Sequence, residues 1–321
     1  MCGIYGITKK DIQLIESYIT TCWYRGPDGN DTWSDDHVTL GHNLLSITSQ
    51  PSQGKQPWIT DKGNVLVYNG EIFNYQELVE QHNFNPQTTC DTELLAYLLD
   101  KFGVDAVKHI DSMHAFAYYD QNNNTIILSR DHVGIKPLFY AEISDGLIFG
   151  SEIKGMLDYV PNSRKIDDLA AACMSYSGNN VTRNTMFTNI KKIMPGETVV
   201  YSVAHKKFIS HNRTVITPTS NSSLDLAQFK HEAHETVKMS TLGIRKFGMF
   251  LSGGLDSTLV AYELKKILGD LDSFTNQMNP NVVIGEDFND DANCAKRFAE
   301  DFNFNHHPVE ITPKIIEQYW A

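Results

Sequence analysis

Cysteine is scarce in this sequence, and the five cysteines are scattered between Cys2 and Cys294. Their number is odd and no two of them have C-x-x-C spacing, so the sequence indicates neither a disulfide framework nor a zinc site. A chain without a disulfide framework is typical of a reducing compartment, and we therefore predict a cytoplasmic location.

Basic residues are also few, because 27 lysines and arginines stand against 39 aspartates and glutamates, a formal net charge of −12. An acidic surface argues against a nucleic-acid partner and against an anionic membrane. No apolar run approaches the length of a membrane span, and the N-terminus lacks the order of charges of a signal peptide. We predict no nucleic-acid and no membrane partner, and we expect any phosphate site to be local and built largely from backbone N–H groups.

What is present is an ordinary globular composition, 41% hydrophobic and 21% charged over 321 residues, a length that predicts about two domains. The first half has short strands, such as Gly3–Ile7 and Val65–Tyr68, alternating with turns and helices, which is typical of an α+β domain. A stretch rich in threonine, serine, asparagine and proline predicts a linker. The predicted organisation is a domain over 1–205, a linker over 206–223 and a second domain over 224–321.

The second half begins a different pattern. The apolar segment Phe247–Leu251 runs into a glycine-rich loop, and a helix follows over Asp256–Leu268. A strand, a loop and a helix in this order predict the opening of a parallel α/β domain.

Cys2 is the first residue with a chemical interpretation. If Met1 is removed, Cys2 carries both a thiol and a free α-amine. The thiol needs a base, and an α-amine titrates close to neutrality, so one residue can supply the nucleophile and its proton acceptor. Taken alone, Cys2 is better explained as a small buried residue of the first strand.

Three further motifs follow in the first half: Arg25-Gly26-Pro27-Asp28-Gly29, Asn69-Gly70-Glu71-Ile72-Phe73-Asn74, and Arg130-Asp131-His132-Val133-Gly134-Ile135-Lys136-Pro137. Each has a structural interpretation by itself. Asn69-Gly70 is a common hairpin-turn dipeptide, and Asp91, before the predicted helix Thr92–Phe102, is a typical N-cap. Arg130 and Asp131 are interpreted as a buried pair that fixes a strand end.

Together with Met1-Cys2-Gly3-Ile4, and in this order, these motifs resemble the class II glutamine amidotransferase domain of glutamine-dependent asparagine synthetases. The resemblance implies an N-terminal-nucleophile hydrolase fold, an αββα sandwich. It assigns Cys2 as the nucleophile, and Asn69 and Gly70 as donors of the oxyanion hole. It assigns the binding of glutamine to Arg25, Glu71 and Asp91.

Leu44 departs from that pattern. The family usually has an arginine at this position, which clamps the α-carboxylate of glutamine with two parallel hydrogen bonds. A leucine side chain cannot bind a carboxylate, so another cation must substitute, or glutamine binds weakly or differently. Lys55 is the candidate substitute in the sequence.

The loop of the second half resembles the S-G-G-x-D-S loop of ATP pyrophosphatases. Glycines admit backbone N–H groups to an anion, and the helix N-terminus favours negative charge. The resemblance implies ATP and Mg²⁺ as cofactors, with Asp256 holding the metal ion and adenine contacts at Leu251 and Asn276. The residues assigned to ATP and pyrophosphate are Leu251, Ser252, Gly253, Gly254, Asp256, Ser257 and Asn276.

The implied function is that of an asparagine synthetase, in which ammonia from glutamine amidates aspartate through an aspartyl-adenylate. Glutamine, aspartate and ATP are then the ligands, and a homodimer is expected. The family continues beyond the point where this sequence ends, so we expect a partial ATP-pyrophosphatase domain, either as a truncated product or as half of an enzyme whose remainder is a separate C-terminal synthetase polypeptide. The alternatives are a stand-alone glutaminase subunit, a related ligase with another acceptor carboxylate, and a non-catalytic decayed homologue.

Overall fold

The computed structural model describes residues 1–217, 225–279 and 289–320. Two compact units, Met1–Thr219 and Ser220–Ala321, divide the chain. No helix among these described residues has the length and apolar composition that crossing a bilayer requires.

Two antiparallel sheets of six strands each form the frame of the first unit. Sheet A has the strand order β10 (Lys191–Lys192), β8 (Phe139–Ile143), β9 (Gly146–Gly150), β1 (Gly3–Ile7), β3 (Thr39–Leu44) and β2 (Gly29–Ser34). Sheet B has the order β12 (Lys207–Arg213), β11 (Glu197–Ser202), β7 (Thr125–Arg130), β6 (Ser112–Asp120), β5 (Val65–Ile72) and β4 (Trp58–Ile59). The strand predicted over Gly3–Ile7 is confirmed.

Helices cover the outer faces of both sheets. The helices of the first unit are α1 (Ile12–Thr21), α2 (Tyr75–Gln81), α3 (Asp91–Phe102) and α4 (Asp168–Ser177). Side chains alternate between the two faces of a strand, so each sheet can bury both faces. Ile4 of β1 packs between the sheets with Val67 of β5, whereas its neighbour Tyr5 packs outward against Tyr18 of α1.

The outer face of sheet B is closed in the same way, by α2 and α3. Leu66 and Phe116 of the sheet pack with Leu94 and Leu98 of α3. Helix, sheet, sheet and helix therefore follow one another as layers, and the predicted α+β αββα sandwich is confirmed.

The prediction that a strand ends in a turn at Asn69-Gly70 is wrong. β5 continues through both residues to Ile72, and they pair with Ala115 and His114 of β6. A Cβ at position 70 would lie 2.4 Å from the Met113 carbonyl oxygen and 2.5 Å from the Tyr68 ring. Glycine is needed here for close approach to its neighbours and not for a turn.

The predicted linker over 206–223 is also partly wrong. Lys207–Arg213 form β12, which pairs with β11 at the edge of sheet B. Most of its side chains are exposed, and Phe208 is the residue that packs on the core. An edge strand with one core residue has the polar composition of a linker, which explains the error. Residues 218–223 of that prediction, and residue 224, lie outside the described residues.

The second unit is an α/β structure. Its parallel sheet has the order β13 (Gly248–Phe250), β14 (Asp272–Met278) and β15 (Asn305–Ile311), with helices α5 (Leu226–Met239), α6 (Leu255–Leu268), α7 (Asp290–Asp301) and α8 (Pro313–Trp320). Leu251 packs with Ala261 of α6 and with Ala295 and Ala299 of α7 in its core. The predicted parallel sheet is confirmed.

Candidate active site

One pocket in the first unit collects residues from elements that are far apart in sequence. The start of the chain, the end of β3, the middle of β5 and the first turn of α3 all contribute to its wall. Among the predicted site residues it is lined by Cys2, Asn69, Gly70, Glu71 and Asp91, and it is also lined by Leu44 and Lys136.

Cys2 lies directly before β1 and faces the end of β3. Its thiol donates to the Leu45 carbonyl at 3.6 Å, and its Sγ accepts from the Leu45 N–H at 3.3 Å. Burial raises the pKa of the thiol, while the Leu45 N–H, the chain amino group and Lys136 oppose that rise. The thiol is therefore held in place but needs a base before it can attack.

Arg25 fixes the main chain of Cys2 from the side. Its Nε donates to the Cys2 carbonyl oxygen at 3.0 Å, and its Nη1 donates to Oε1 of Glu152 at 2.7 Å. The Arg25 side chain is 6% exposed, so the guanidinium is shielded from water, while the Glu152 side chain is 28% exposed. Glu152, just after β9, was not identified from the sequence, because nothing in its local pattern distinguishes it from other surface carboxylates.

Asn69 presents a buried donor. The residue is 2% exposed, and its Nδ2 has no hydrogen-bond partner among the described residues. A buried amide that lacks an acceptor costs about 1–3 kcal/mol, so a ligand oxygen at this point would recover a hydrogen bond. Since Asn69 and Cys2 line the same pocket, that oxygen would be close to the thiol.

Two carboxylates lie in the same pocket. Asp91 Oδ2 accepts from the Ile72 N–H and from the Tyr68 hydroxyl, both at 3.1 Å. Burial raises the pKa of Asp91, and these hydrogen bonds oppose it. Asp91 is the first residue of α3 and Cys90 is the N-cap, so the N-cap interpretation of Asp91 is wrong.

Glu71 is the second carboxylate and the less satisfied one. Its Oε1 is buried and has no hydrogen-bond partner among the described residues. Burial and the neighbouring Asp91 raise the pKa of Glu71 to about 7. A pair of carboxylates with spare acceptors suits an ammonium group.

Lys136 is a pocket residue that sequence reasoning missed as a site residue, although it stands inside the fourth motif. It is 6% exposed, and burial lowers the pKa of its ammonium while Cys2 and Glu71 oppose that change. The local sequence Gly134-Ile135-Lys136-Pro137 gives no sign that the lysine side chain is buried. The strand pairing that brings Lys136 to Cys2 joins residues that are far apart in sequence.

The motif around Lys136 has a structural role, as predicted, but not through the predicted Arg–Asp pair. The guanidinium of Arg130 donates to the carbonyls of Gly134, Lys136 and Ile193. The carboxylate of Asp131 accepts from the N–H groups of Ile135 and Lys136 at 2.8 and 3.0 Å. Both side chains therefore fix the loop that carries Lys136.

The structure places Lys55 outside the Cys2 pocket. Lys55 is exposed and lines a neighbouring pocket with Asp28 and Asp31. Leu44, 7% exposed, and Gln56 line both pockets and form the wall between them. The structure does not bring Lys55 together with Cys2, and Lys136 is the lysine that lines the Cys2 pocket.

The glycine-rich loop of the second unit connects β13 to α6. Gly254 is the N-cap of α6, and Asp256 and Ser257 lie in its first turn, with Ser257 Oγ 2.9 Å from Ser252 Oγ. Gly253 has φ +82°, and a Cβ there would lie 2.5 Å from the Asp291 carbonyl oxygen. Backbone amides and hydroxyls thus surround a helix N-terminus, which is an arrangement that suits an anion.

The two residues predicted to contact adenine differ in the exposure of their side chains. Asn276 is exposed on β14, beyond the last residue paired with β13, and therefore at the same sheet edge as the loop. The Leu251 side chain is 1% exposed in the core, so only its main chain could contact a ligand. Asp256 is exposed, and one carboxylate with phosphate oxygens fits Mg²⁺; no cluster of three metal-binding side chains occurs among the described residues.

Comparison with known proteins gives two family matches. The family model of the glutamine amidotransferase domain matches residues 1–212, and that of asparagine synthase matches residues 228–320. Curated relatives include two asparagine synthetases [glutamine-hydrolyzing] of Bacillus subtilis. The enzyme numbered 3 is 28% identical to this chain, and the match covers 98% of this chain and 55% of the relative. The enzyme numbered 2 is 30% identical, and the match covers 96% of this chain and 44% of the relative.

The chain thus spans about half the length of the curated relatives it matches. Among solved structures, a glutamine phosphoribosylpyrophosphate amidotransferase from B. subtilis matches 99% of this chain and 70% of its own at 15% identity. Its TM-score of 0.46 is too low to carry an argument.

Proposed function

The chain belongs to the family of glutamine amidotransferase domains, and from that premise we propose that its first unit hydrolyses glutamine at Cys2 and releases ammonia. The observation that carries the proposal is the buried Nδ2 of Asn69, which lines the pocket of Cys2 and has no acceptor within the described part of the chain. A donor without an acceptor beside a nucleophile is what a developing oxyanion requires.

The attack begins with a proton transfer within one residue. Once Met1 is removed, the α-amine of Cys2 takes the thiol proton, and the sulfur attacks the side-chain carbonyl carbon of glutamine. The carbonyl oxygen becomes negatively charged, and the Asn69 amide and the Gly70 N–H are the donors that stabilise it. The C–N bond then breaks, and the α-ammonium returns its proton to the leaving ammonia.

The thioester that remains is hydrolysed by water. Arg25, paired with Glu152, holds the Cys2 carbonyl so that the sulfur keeps its position through both steps. Asp91 and Glu71 receive the α-ammonium of glutamine, which fixes the distance between the amino acid and the sulfur. Release of glutamate restores the free thiol.

For the second unit we propose that the loop Ser252–Ser257 binds the phosphates of ATP in an asparagine synthetase reaction. The match of residues 228–320 to the asparagine synthase family supports this assignment. Aspartate is then the acceptor: its side-chain carboxylate attacks the α-phosphorus of ATP and releases pyrophosphate, and ammonia displaces AMP from the aspartyl-adenylate and loses a proton to give asparagine. Mg²⁺, held by Asp256, would neutralise phosphate charge in that reaction.

A cytoplasmic location, and glutamine, aspartate and ATP as the ligands, are part of the same proposal. The homodimer and the separate C-terminal polypeptide stay predictions.

The glutaminase proposal is tested with Cys2→Ser. The purified chain, with removal of Met1 checked by intact mass, is given glutamine, and glutamate and ammonia are measured. We expect release in the wild type and none above background in Cys2→Ser, while Cys173→Ser, which changes a half-buried cysteine of α4, keeps wild-type activity. Undiminished release by Cys2→Ser would contradict the proposal.

A further inference from the structure

Lys136 is a buried charge that the proposed mechanism does not use. It is 6% exposed and lines the same pocket as Cys2, Asn69 and Glu71. Burying an ammonium is costly unless a negative charge compensates it. A lysine kept in this position therefore points to a negative charge beside it.

The direction of the Lys136 side chain is fixed by its backbone. Its N–H donates to Asp131 Oδ2 at 3.0 Å, and its carbonyl accepts from Arg130 Nε at 2.7 Å. The next residue is Pro137, whose ring restricts the chain further. Because both sides of the Lys136 Cα are held, the Cα–Cβ bond keeps its direction, and the side chain is buried in the wall of the pocket.

Other charges face Cys2, but most of them are engaged. Arg25 forms an ion pair with Glu152 at 2.7 Å, and Asp91 accepts from Ile72 and Tyr68. Among the described residues, Lys136 makes no side-chain hydrogen bond or ion pair, and its field acts on Cys2 and Glu71. Lys136 is therefore the cationic side chain of the pocket whose charge can act on the Cys2 sulfur.

The chain amino group is the remaining cation, and it has a different task. It must become neutral in order to accept the thiol proton, and a nearby positive charge promotes that. Burial lowers the pKa of the amino group of Met1 most, and Arg25 and Lys136 lower it further, so the field of Lys136 reaches the end of the chain.

We propose that Lys136 is a positioning residue that acts through Cys2, and that its ammonium stabilises the thiolate formed when the thiol proton moves to the α-amine. Lys136 keeps its own protons throughout. This inference rests on the proposed function, which makes Cys2 the nucleophile. It also gives the motif around Arg130 and Asp131 a purpose, which is to hold a cation against the sulfur.

The test measures the thiol without any substrate. Alkylation of Cys2 by iodoacetamide is followed from pH 5 to 10 by peptide mass spectrometry, in the wild type and in the Lys136→Met, Lys136→Arg and Lys55→Met variants. Cys173 serves as the internal reference. Because no glutamine is involved, a chain that failed to hydrolyse glutamine would still give a profile, so the two proposals fail separately.

We expect Lys136→Met to raise the midpoint of the Cys2 profile by about 1 pH unit, so that alkylation near neutral pH slows about tenfold. Lys136→Arg, which keeps the charge, and Lys55→Met, which removes an exposed charge of the neighbouring pocket, are expected to keep the wild-type midpoint. The Cys173 profile is expected to stay unchanged in every variant.

Two results would overturn the inference. The first is a wild-type midpoint in folded Lys136→Met. The second is a midpoint in Lys136→Arg raised as far as in the neutral variant, because shape and not charge would then be the cause. If Lys136→Met lacks the wild-type circular dichroism spectrum, Lys136→Gln replaces it, and the comparison with Lys136→Arg decides in the same way.

Discussion

At the scale of single residues, Asn69 is a residue whose effect on substrate binding can be separated from its effect on catalysis. Its Nδ2 has no acceptor in the part of the chain that the structure describes, so it gains a hydrogen bond only when a ligand oxygen arrives. A donor that meets the oxyanion more strongly than the ground-state carbonyl accelerates the reaction without tightening substrate binding. Asn69 should therefore matter for kcat more than for KM.

We predict that Asn69→Ala lowers the kcat of glutamine hydrolysis by about 10²–10³-fold, with KM changed by only a few fold. Steady-state glutamate release measures both constants. Asn122→Ala, in the exposed turn between β6 and β7, is the matched control and should behave as the wild type. A rise in KM with an unchanged kcat would instead assign Asn69 to ground-state binding.

The residue scale also shows what sequence reasoning could reach. The motifs pointed to Cys2, Asn69, Gly70, Glu71 and Asp91, and the structure brings these five into one pocket. Lys136 stood in a motif of its own but was not assigned to the site. Its contribution depends on the burial of its side chain. Because lysine is mostly exposed in proteins, the residue type does not reveal that burial.

At the scale of elements, the loop between β13 and α6 combines two constraints at Gly253. A positive φ strains any other residue, and the carbonyl of Asp291 leaves no room for a Cβ. Gly269, at the other end of α6, has φ +75° but open space around it. The two glycines therefore separate the cost of backbone strain from the cost of a clash.

We predict that Gly253→Ala and Gly269→Ala each destabilise the second unit by about 1 kcal/mol through strain, and that only Gly253→Ala distorts the loop enough to abolish ATP binding. Thermal unfolding and titration with a fluorescent ATP analogue measure the two effects. Equal loss of ATP binding in both variants would show that strain in α6, and not the loop, is responsible.

The errors made from sequence at this scale have one physical cause. Asn69-Gly70 was expected to turn, Asp91 was considered as a cap, and Lys207–Arg213 were assigned to a linker. In each case a long-range contact outweighed a local preference. Asn69 and Gly70 pair with β6, Asp91 accepts hydrogen bonds from Tyr68 and Ile72, and Lys207–Arg213 pair with β11. Local preferences are weak beside the packing that such pairing allows.

At the scale of the whole molecule, each unit has a core and a candidate site of its own. The sandwich carries the Cys2 pocket, and the parallel sheet carries the glycine-rich loop. The pattern of strands and helices was enough to predict an α+β class for the first unit and a parallel α/β class for the second, whereas the αββα sandwich was implied by the resemblance of the motifs. Their chemistry should then be separable by mutation.

We predict that Asp256→Asn weakens Mg²⁺-dependent ATP binding at least about tenfold, since it removes the carboxylate proposed to hold the metal ion, and leaves glutamate release unchanged. Cys2→Ser should do the reverse. Asp270→Asn, a fully exposed aspartate after α6, is the control for ATP binding. Wild-type ATP binding in the Asp256→Asn variant would contradict the assignment of Asp256 as a ligand of Mg²⁺.

The position of β1 inside sheet A has a thermodynamic consequence for the chain end. Termini usually fray at little cost, but β1 is paired on one side with β3 and on the other with β9. Separating β1 from sheet A would require both ladders to break, and those ladders run through the core of the sandwich. The strand that carries the nucleophile therefore has no melting step of its own, and its release and the cooperative unfolding of the first unit are one event.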